Sequence, residues 1–236
     1  MKFGAVVVGA GRGERLGMAR PKCMVRIDGV PLLLMSAWSF DRMESVSETV
    51  LVVPPDCEAE VQAACEDLGL KRVISVVPGG ARRQDSVLNG LKVLSQDVAR
   101  VLIHDGARPL VSTGLIQRLI EALETEDAVF AGIPVSDTLH VNRGGHAEEG
   151  PDRQDLTAAQ TPQGFERKIL MEALAEAARR GLTFTDDVAL VRQVTGVKAR
   201  IIPGETTNIK ITRPEDIRLH EFLLKARVRQ MKGGTH

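Results

Sequence analysis

Short apolar runs alternate along the chain with longer segments in which apolar residues recur at helical spacing. The runs are rich in valine and isoleucine and predict strands at 5–8, 50–53, 73–77, 100–103 and 129–133. The segments between them predict helices over 32–43, 58–68, 84–94 and 112–124. Near-continuous hydrophobicity is typical of strands that helices cover on both faces, so this order predicts an α/β fold with a doubly wound, mostly parallel sheet.

The alternation breaks after Pro134. The segment 136–155 is polar, contains three glycines and shows no sustained period, and it is too long for an ordinary connection inside a compact domain. We therefore predict a protruding β-arm at about 136–157. Helical spacing returns at 166–180 and 186–194, a strand is predicted at 199–202, and a last helix follows Pro214. No segment resembles a linker, which predicts one domain over 1–236.

Composition narrows the class of protein. The 236 residues are 43% hydrophobic, enough for one domain with a sizeable core. Lys and Arg total 31 and so do Asp and Glu, and this balance argues against binding to nucleic acid, which uses an excess of positive charge. No run approaches the ~18 apolar residues of a membrane span, and no signal-peptide pattern opens the chain, so we expect a cytoplasmic protein with no membrane partner. Three cysteines without CxxC spacing favour neither disulfides nor zinc.

The first predicted strand leads into a glycine-rich loop, GAGRGERLG, followed by Pro21 and Lys22. Open α/β sheets bind ligands beyond the carboxyl ends of their strands, and glycine-rich turns there let backbone amides approach a phosphate. The spacing matches neither the dinucleotide fingerprint nor the Walker pattern. Arg15 and Lys22 could clamp a triphosphate from two sides. The alternative is a flexible turn whose charges are solvated.

Two later loops offer matching chemistry. PGGARRQDS follows the third predicted strand, where Gly80 and Ser86 supply an amide and a hydroxyl, or else only turn the chain and begin a helix. HDGARP follows the fourth, and Asp105 there is well placed to hold Mg²⁺, which favours one or two carboxylates plus phosphate oxygens. Arg108 could bind a second anionic substrate, or form a surface ion pair. His104 has no second ligand at metal spacing and is interpreted as a hydrogen-bonding core residue.

Lys210 stands between two isoleucines in the run TNIKIT. A lysine in such an extended run can be an edge charge that limits aggregation, or a phosphate-binding group at the end of a strand. The pattern alone leaves these two interpretations open.

Taken in order, the motifs resemble one family. GAGRGERLG with PK, GGARRQDSV, HDGARP, PVSDT, DRQDLTAAQTPQ, TDD and TNIKITRPEDI together resemble the 2-C-methyl-D-erythritol 4-phosphate cytidylyltransferases of the non-mevalonate isoprenoid pathway. The resemblance runs from Val6 to the last helix. Glycosyl-1-phosphate nucleotidyltransferases share the opening loop, so the specificity lies in the ordered set. The chain departs from the family pattern at Ala81, Gly106 and Thr157, where the family often has Asp or another residue, Ala and Trp.

The resemblance implies a single Rossmann-like nucleotidyltransferase domain whose arm builds a homodimer, with CTP and 2-C-methyl-D-erythritol 4-phosphate as substrates and Mg²⁺ as cofactor. It implies that the triphosphate is bound by Gly11, Gly13, Arg15 and Lys22. It implies that the base and ribose lie against Ala10, Gly80 and Ser86. Asp105 would face Mg²⁺ and the reacting phosphates. The acceptor would be bound by Arg108, Thr161 and Lys210, and across the dimer by Thr138 and Arg153 of the partner's arm. The catalytic cations would be Arg15, Lys22, Arg153 and Lys210.

Two other functions compete with this one. The first is a cytidylyltransferase for another polyol phosphate such as ribitol 5-phosphate, whose family shares most of these motifs. The second belongs to a different class, a nucleotide-binding regulator that has lost turnover. The presence of Lys22, Asp105, Arg153 and Lys210 together argues against the regulator, because a binder of CTP alone does not need cations for an acceptor.

Overall fold

A computed structural model describes residues 2–11, 21–27 and 29–233 of the chain, with side chains to residue 225. The strands of these residues are β1 (Lys2–Val8), β2 (Arg26–Ile27), β3 (Val30–Pro31), β4 (Val46–Val53), β5 (Val73–Pro78), β6 (Val98–Asp105), β7 (Ala128–Pro134), β8 (His140–Arg143), β9 (His146–Glu149), β10 (Thr157–Glu166) and β11 (Arg200–Pro203). Their helices are α1 (Leu32–Asp41), α2 (Glu58–Asp67), α3 (Arg83–Val93), α4 (Thr113–Leu123), α5 (Arg167–Arg179), α6 (Asp187–Thr195) and α7 (Pro214–Gly233).

A seven-stranded sheet of order β11-β7-β10-β6-β1-β4-β5 forms the centre of the molecule. Successive side chains of β1 enter opposite faces: Ala5 and Val7 pack in one buried cluster with α1, α2 and α4, and Val6 packs in another with α3, α5 and α6. Helices therefore cover both faces, and the predicted doubly wound α/β fold is confirmed. Its core strands are buried on both sides, which explains their near-continuous hydrophobicity.

The sequence predicted no element between the arm and the helix at 166–180, and the structure places the strand β10 there. It runs antiparallel between β6 and β7, whereas the other neighbouring strands of the sheet are parallel. Its pairing with β7 shifts register between Ala159 and Gln163, where Pro162 lacks an amide hydrogen for the ladder. The sequence did not predict this strand because polar residues and proline are atypical of a buried strand. In the folded protein, tertiary hydrogen bonds supply the partners that these polar side chains need.

A separate hairpin lies within the segment that the sequence singled out as an arm. β8 and β9 pair antiparallel with each other and with no other described strand, and all eight of their residues are exposed. Gly144 and Gly145 form the two-residue turn, with φ of 58° and 88°. Both angles lie in the left-handed region that glycine adopts without steric cost, as a tight hairpin turn of this kind requires.

Polar side chains cap two of the helices. Ser112 caps α4 by accepting a hydrogen bond from the Leu115 amide at 2.9 Å, and Asp186 caps α6 by accepting from the Ala189 amide at 2.8 Å. Within the described ranges, no helix combines the length and the apolar character needed to cross a bilayer.

Candidate active site

A cleft of about 820 Å³ opens beyond the carboxyl ends of β1, β4, β5 and β6. The loops that follow these four strands line it, together with Lys22 and Lys210 from other parts of the chain. Parallel strands bring their carboxyl ends to one edge of the sheet, so loops that are distant in sequence meet there. The cleft lies at the edge that the strand order predicts.

Asp105, the last residue of β6, is the only carboxylate lining the cleft among the residues that the structure describes. Its Oδ2 atom lies 2.7 Å from Lys210 Nζ and 4.0 Å from Arg108 Nε, and its Oδ1 atom lies 3.4 Å from Arg83 Nη2. Burial by itself would raise the pKa of Asp105, but the positive charges of Arg83 and Lys210 outweigh it and hold that pKa well below its usual range. Asp105 is therefore an anion near neutral pH.

Arg83 and Asp187 form a buried ion pair that the sequence analysis missed. Arg83 Nη1 lies 2.6 Å from Asp187 Oδ2, and the Asp187 side chain is only 1% exposed. Burial would lower the pKa of Arg83, yet the carboxylates of Asp187 and Asp105 raise it, so the guanidinium stays charged. The motifs TDD and ARRQ contain these residues, but sequence does not show which of two adjacent aspartates or arginines turns inward.

His104 and Thr161 form a hydrogen-bonded layer beneath Asp105. The Thr161 hydroxyl accepts from the Asp105 amide and bonds His104 Nδ1, both at 3.0 Å, while His104 Nε2 lies 3.1 Å from the Arg108 carbonyl oxygen. Since a carbonyl only accepts, the ring proton is on Nε2, and the Thr161 hydroxyl donates to Nδ1. Burial lowers the pKa of His104 to about 4, so the ring is neutral. Thr161 is buried and lies behind the cleft lining.

The loop after β5 is braced from within. Ser86 Oγ accepts from the Gly80 amide at 3.1 Å and donates to the Arg82 carbonyl oxygen at 3.2 Å. A Cβ atom on Gly79 would lie 2.2 Å from Cβ of Ala10, so only glycine lets this loop pack so closely against the loop after β1. The two loops form one continuous wall of the cleft.

Lys22 begins a single 3-10 turn, Lys22–Met24, directly after Pro21. The Met24 amide donates to the Pro21 carbonyl oxygen at 2.9 Å, which closes the turn on the proline. Lys22 and Cys23 both line the cleft. Burial raises the pKa of the Cys23 thiol to about 12, so this side chain is a neutral part of the wall near physiological pH.

The structure brings most of the predicted site residues together. Seven of them line the cleft: Ala10, Gly11, Lys22, Gly80, Ser86, Asp105 and Lys210. Arg108 and Thr161 lie behind Asp105 and do not line it. Thr138 and Arg153, which flank the hairpin in sequence, are exposed and do not line the cleft, and Arg153 Nη1 donates to the Ser136 carbonyl oxygen at 2.8 Å. Gly13 and Arg15 lie outside the described residues. Among described residues, no group of three histidine, cysteine or acidic side chains could hold a metal by itself.

Comparisons with known proteins show the family of this chain and its fold. The IspD family model, 2-C-methyl-D-erythritol 4-phosphate cytidylyltransferase, matches residues 3–226. The enzyme of that name from Nostoc punctiforme is 37% identical over 223 residues, which is 94% of this chain and 98% of the relative. The solved structure of the enzyme from Thermus thermophilus is 35% identical, with a TM-score of 0.77 over 93% of this chain and 98% of that one. A 4-diphosphocytidyl-2C-methyl-D-erythritol synthase structure from Anaerococcus prevotii is 27% identical, with a TM-score of 0.82 over 95% and 98%.

Proposed function

Because this chain belongs to the 2-C-methyl-D-erythritol 4-phosphate cytidylyltransferase family, we propose that it transfers CMP from CTP to 2-C-methyl-D-erythritol 4-phosphate and releases pyrophosphate. The observation that carries the proposal is the shared cleft, which Lys22 and Lys210 both line and in which Lys210 contacts the carboxylate of Asp105. Such a cleft suits a reaction between two phosphate esters, since both substrates are polyanions that repel each other. The family resemblance predicted this activity from the sequence.

The chemistry is an in-line displacement at phosphorus. An oxygen of the acceptor phosphate attacks the α-phosphorus of CTP, and the bond from that phosphorus to pyrophosphate breaks. The acceptor is already an anion near neutral pH, so it needs no general base. The requirement is positive charge fixed in advance around the reacting centre, which is usually the largest contribution to such catalysis. Lys22 would stabilise the triphosphate, a role that the family resemblance also implies for Arg15, and Lys210 would hold the acceptor phosphate.

Asp105 fits a role in holding Mg²⁺. It is anionic and lines the cleft, and Mg²⁺ commonly uses one or two carboxylates while phosphate oxygens and water complete its shell. When bound, Mg²⁺ neutralises charge on the triphosphate. Asp105 is the residue that would hold the ion, while the charge of Arg83 keeps its carboxylate ionised.

We also propose a homodimer in which the arm completes the partner's site. Two observations support it. Leu139 and Val141 of the arm are apolar yet 41% and 38% exposed, and Arg153 does not line the cleft of its own chain. Arg153 and Thr138 would then bind the acceptor phosphate across the interface.

The free cysteines suit a reducing compartment, in keeping with a cytoplasmic enzyme.

The test is a pyrophosphate-release assay over a matrix of four nucleoside triphosphates and several polyol phosphates. We expect release with CTP and 2-C-methyl-D-erythritol 4-phosphate, and little with other pairs. Release confined to ribitol 5-phosphate would favour the alternative acceptor. Tight CTP binding without release from any pair would favour the regulator and refute the enzyme.

A further inference from the structure

Lys210 lies in a segment, 204–213, that has neither helix nor strand. A side chain on such a segment has no regular backbone ladder to fix it, yet its ammonium nitrogen sits at hydrogen-bond distance from Asp105. We infer that Gln160 and Asn208 are positioning residues that hold Lys210 at the reacting phosphates. The inference rests on the proposed function, because it concerns the geometry of a cation that the reaction needs.

The side-chain amide of Gln160 hydrogen-bonds the backbone at the start of this segment. Gln160 projects from β10, and its side chain is only 4% exposed. Its Nε2 donates to the carbonyl oxygen of Glu205 at 2.8 Å, and its Oε1 accepts from the amide of Glu205 at 3.2 Å. One side-chain amide thus pairs with both backbone groups of a single residue. The same Oε1 lies 3.4 Å from Asn208 Nδ2, which joins the two amides.

Asn208 binds the middle of the segment and is completely buried. Its Nδ2 donates to the carbonyl oxygen of Thr161 at 2.8 Å, and its own carbonyl oxygen accepts from Arg108 Nη1 at 2.8 Å. Arg108 therefore has an observed role in bracing this segment. Asn208 is anchored through both side chain and backbone, two residues before Lys210.

A backbone hydrogen bond anchors the segment on the other side of Lys210. We call this bond, together with the contacts of Gln160 and Asn208, the clamp. The Ile211 amide donates to the Ala107 carbonyl oxygen at 2.8 Å, and the Ile211 side chain is fully buried. Lys210 is thus held between anchors on both sides of it. Gln160 and Asn208 are buried polar groups, and each buried hydrogen bond that loses its partner leaves a costly unpaired group. Two such amides beneath a loop hold it in one conformation.

The test is a double-mutant cycle with Lys210→Met. Displacing a reacting group by about 1 Å can cost on the order of 10²-fold, so we expect Asn208→Ala or Gln160→Ala to lower kcat/KM for the acceptor by about 10–100-fold. The KM for CTP should change little, because Lys22 is on a separate loop. In the Lys210→Met background the same substitutions should cost less than about twofold, since the group they position is gone. Equal losses in both backgrounds would overturn the inference.

The control is Glu205→Gln. Glu205 lies on the same segment, but its carboxylate bonds Ser112 and Arg118 on the far side. Its substitution should leave the acceptor kcat/KM near that of the wild type. If Asn208→Ala fails to fold, Gln160→Glu replaces it, because glutamate keeps the acceptor oxygen but sets a second oxygen in place of the donor to Glu205.

Hydrogen exchange separates this inference from the proposed function. The Ile211 amide should exchange at least about tenfold faster in Asn208→Ala than in the wild type, while amides of β6 keep their protection. Unchanged exchange over 204–213 would refute the clamp whatever the enzyme does. Faster exchange in a protein that releases no pyrophosphate would support the clamp and refute the function. A Lys210→Met variant with wild-type turnover would overturn the inference, because no catalytic group would remain to be positioned.

Discussion

The ammonium nitrogen of Lys210 lies 2.7 Å from Oδ2 of Asp105, and the two residues come from distant parts of the chain. Arg83 approaches the other oxygen of the same carboxylate. One anion therefore gathers several cations at the edge of the sheet, and Lys22 lines the same cleft. Such an excess of fixed positive charge is what a reaction between two phosphate esters requires.

Asp105→Asn should separate CTP binding from turnover. Without the carboxylate, repulsion of the triphosphate falls, so CTP should bind more tightly in the presence of EDTA. With Mg²⁺ present, kcat should fall by about 10²–10³-fold, the usual cost of losing one group that stabilises the reacting charge. Calorimetry and pyrophosphate release measure the two effects. The control is Asp97→Asn, at an exposed ion pair with Lys2. The prediction would be contradicted if Asp105→Asn weakened CTP binding in EDTA as well as lowering kcat.

Lys22→Ala should lower kcat by about 10²–10³-fold with the fold intact, because a fixed cation beside the triphosphate is lost. Pyrophosphate release gives the rate, and circular dichroism checks the fold. Lys92→Ala, at an exposed position of α3, should behave as the wild type. Turnover close to that of the wild type in Lys22→Ala would remove Lys22 from the mechanism.

Mixed dimers test whether Arg153 acts across an interface. Lys22→Ala and Arg153→Ala chains should each be nearly inactive alone, the second through a raised KM for the acceptor. In a mixed dimer one of the two sites receives both intact groups, so random exchange of subunits should restore about one quarter of wild-type activity. No recovery after co-refolding would show that each site is built from one chain.

Asp187→Asn should destabilise the protein by about 3 kcal/mol, because it leaves the largely buried guanidinium of Arg83 without its nearest counter-charge. Urea unfolding measures the free energy of unfolding. The exposed pair of Lys168 and Glu172 supplies the control, and Glu172→Gln should leave stability nearly unchanged. A loss no larger than that of the control would mean that Asp105 alone compensates Arg83.

Stability should decline as the pH falls from about 6.5 to 4, through His104. Its pKa is about 4 in the folded protein, where burial keeps the ring neutral, against ~6.5 when unfolded. The unfolded chain therefore binds more protons in this window, which removes on the order of 3 kcal/mol by its lower end.

His104→Asn is the variant that tests this decline. It should be less stable at pH 7, since it loses buried hydrogen bonds, but its free energy of unfolding should depend less steeply on pH between 6.5 and 4. His140→Asn, in the exposed arm, should keep the wild-type dependence. Measurements are made in metal-free buffer by urea unfolding. Equal slopes in all three proteins would refute the assignment to His104.

The sequence by itself predicted the strands of the sheet other than β10, because core strands buried on both faces must be apolar along most of their length. It also indicated which loops end at the ligand-binding edge, and the ordered motifs identified the family. The strand β10 was not predicted, because glutamines and a proline are typical of loops and only the folded protein shows the partners of these side chains.

Only the tertiary structure decided how the charged groups pair. Arg83 turns inward to Asp187 while its neighbour Arg82 bonds Asp85, and no local pattern distinguishes two adjacent arginines. Likewise Lys210, which the sequence left between an edge charge and a phosphate-binding group, was placed at Asp105 by the buried amides beneath it. The spacing of apolar residues that predicts helices and strands involves near neighbours in sequence. Charge pairing depends on residues that only the folded chain brings together.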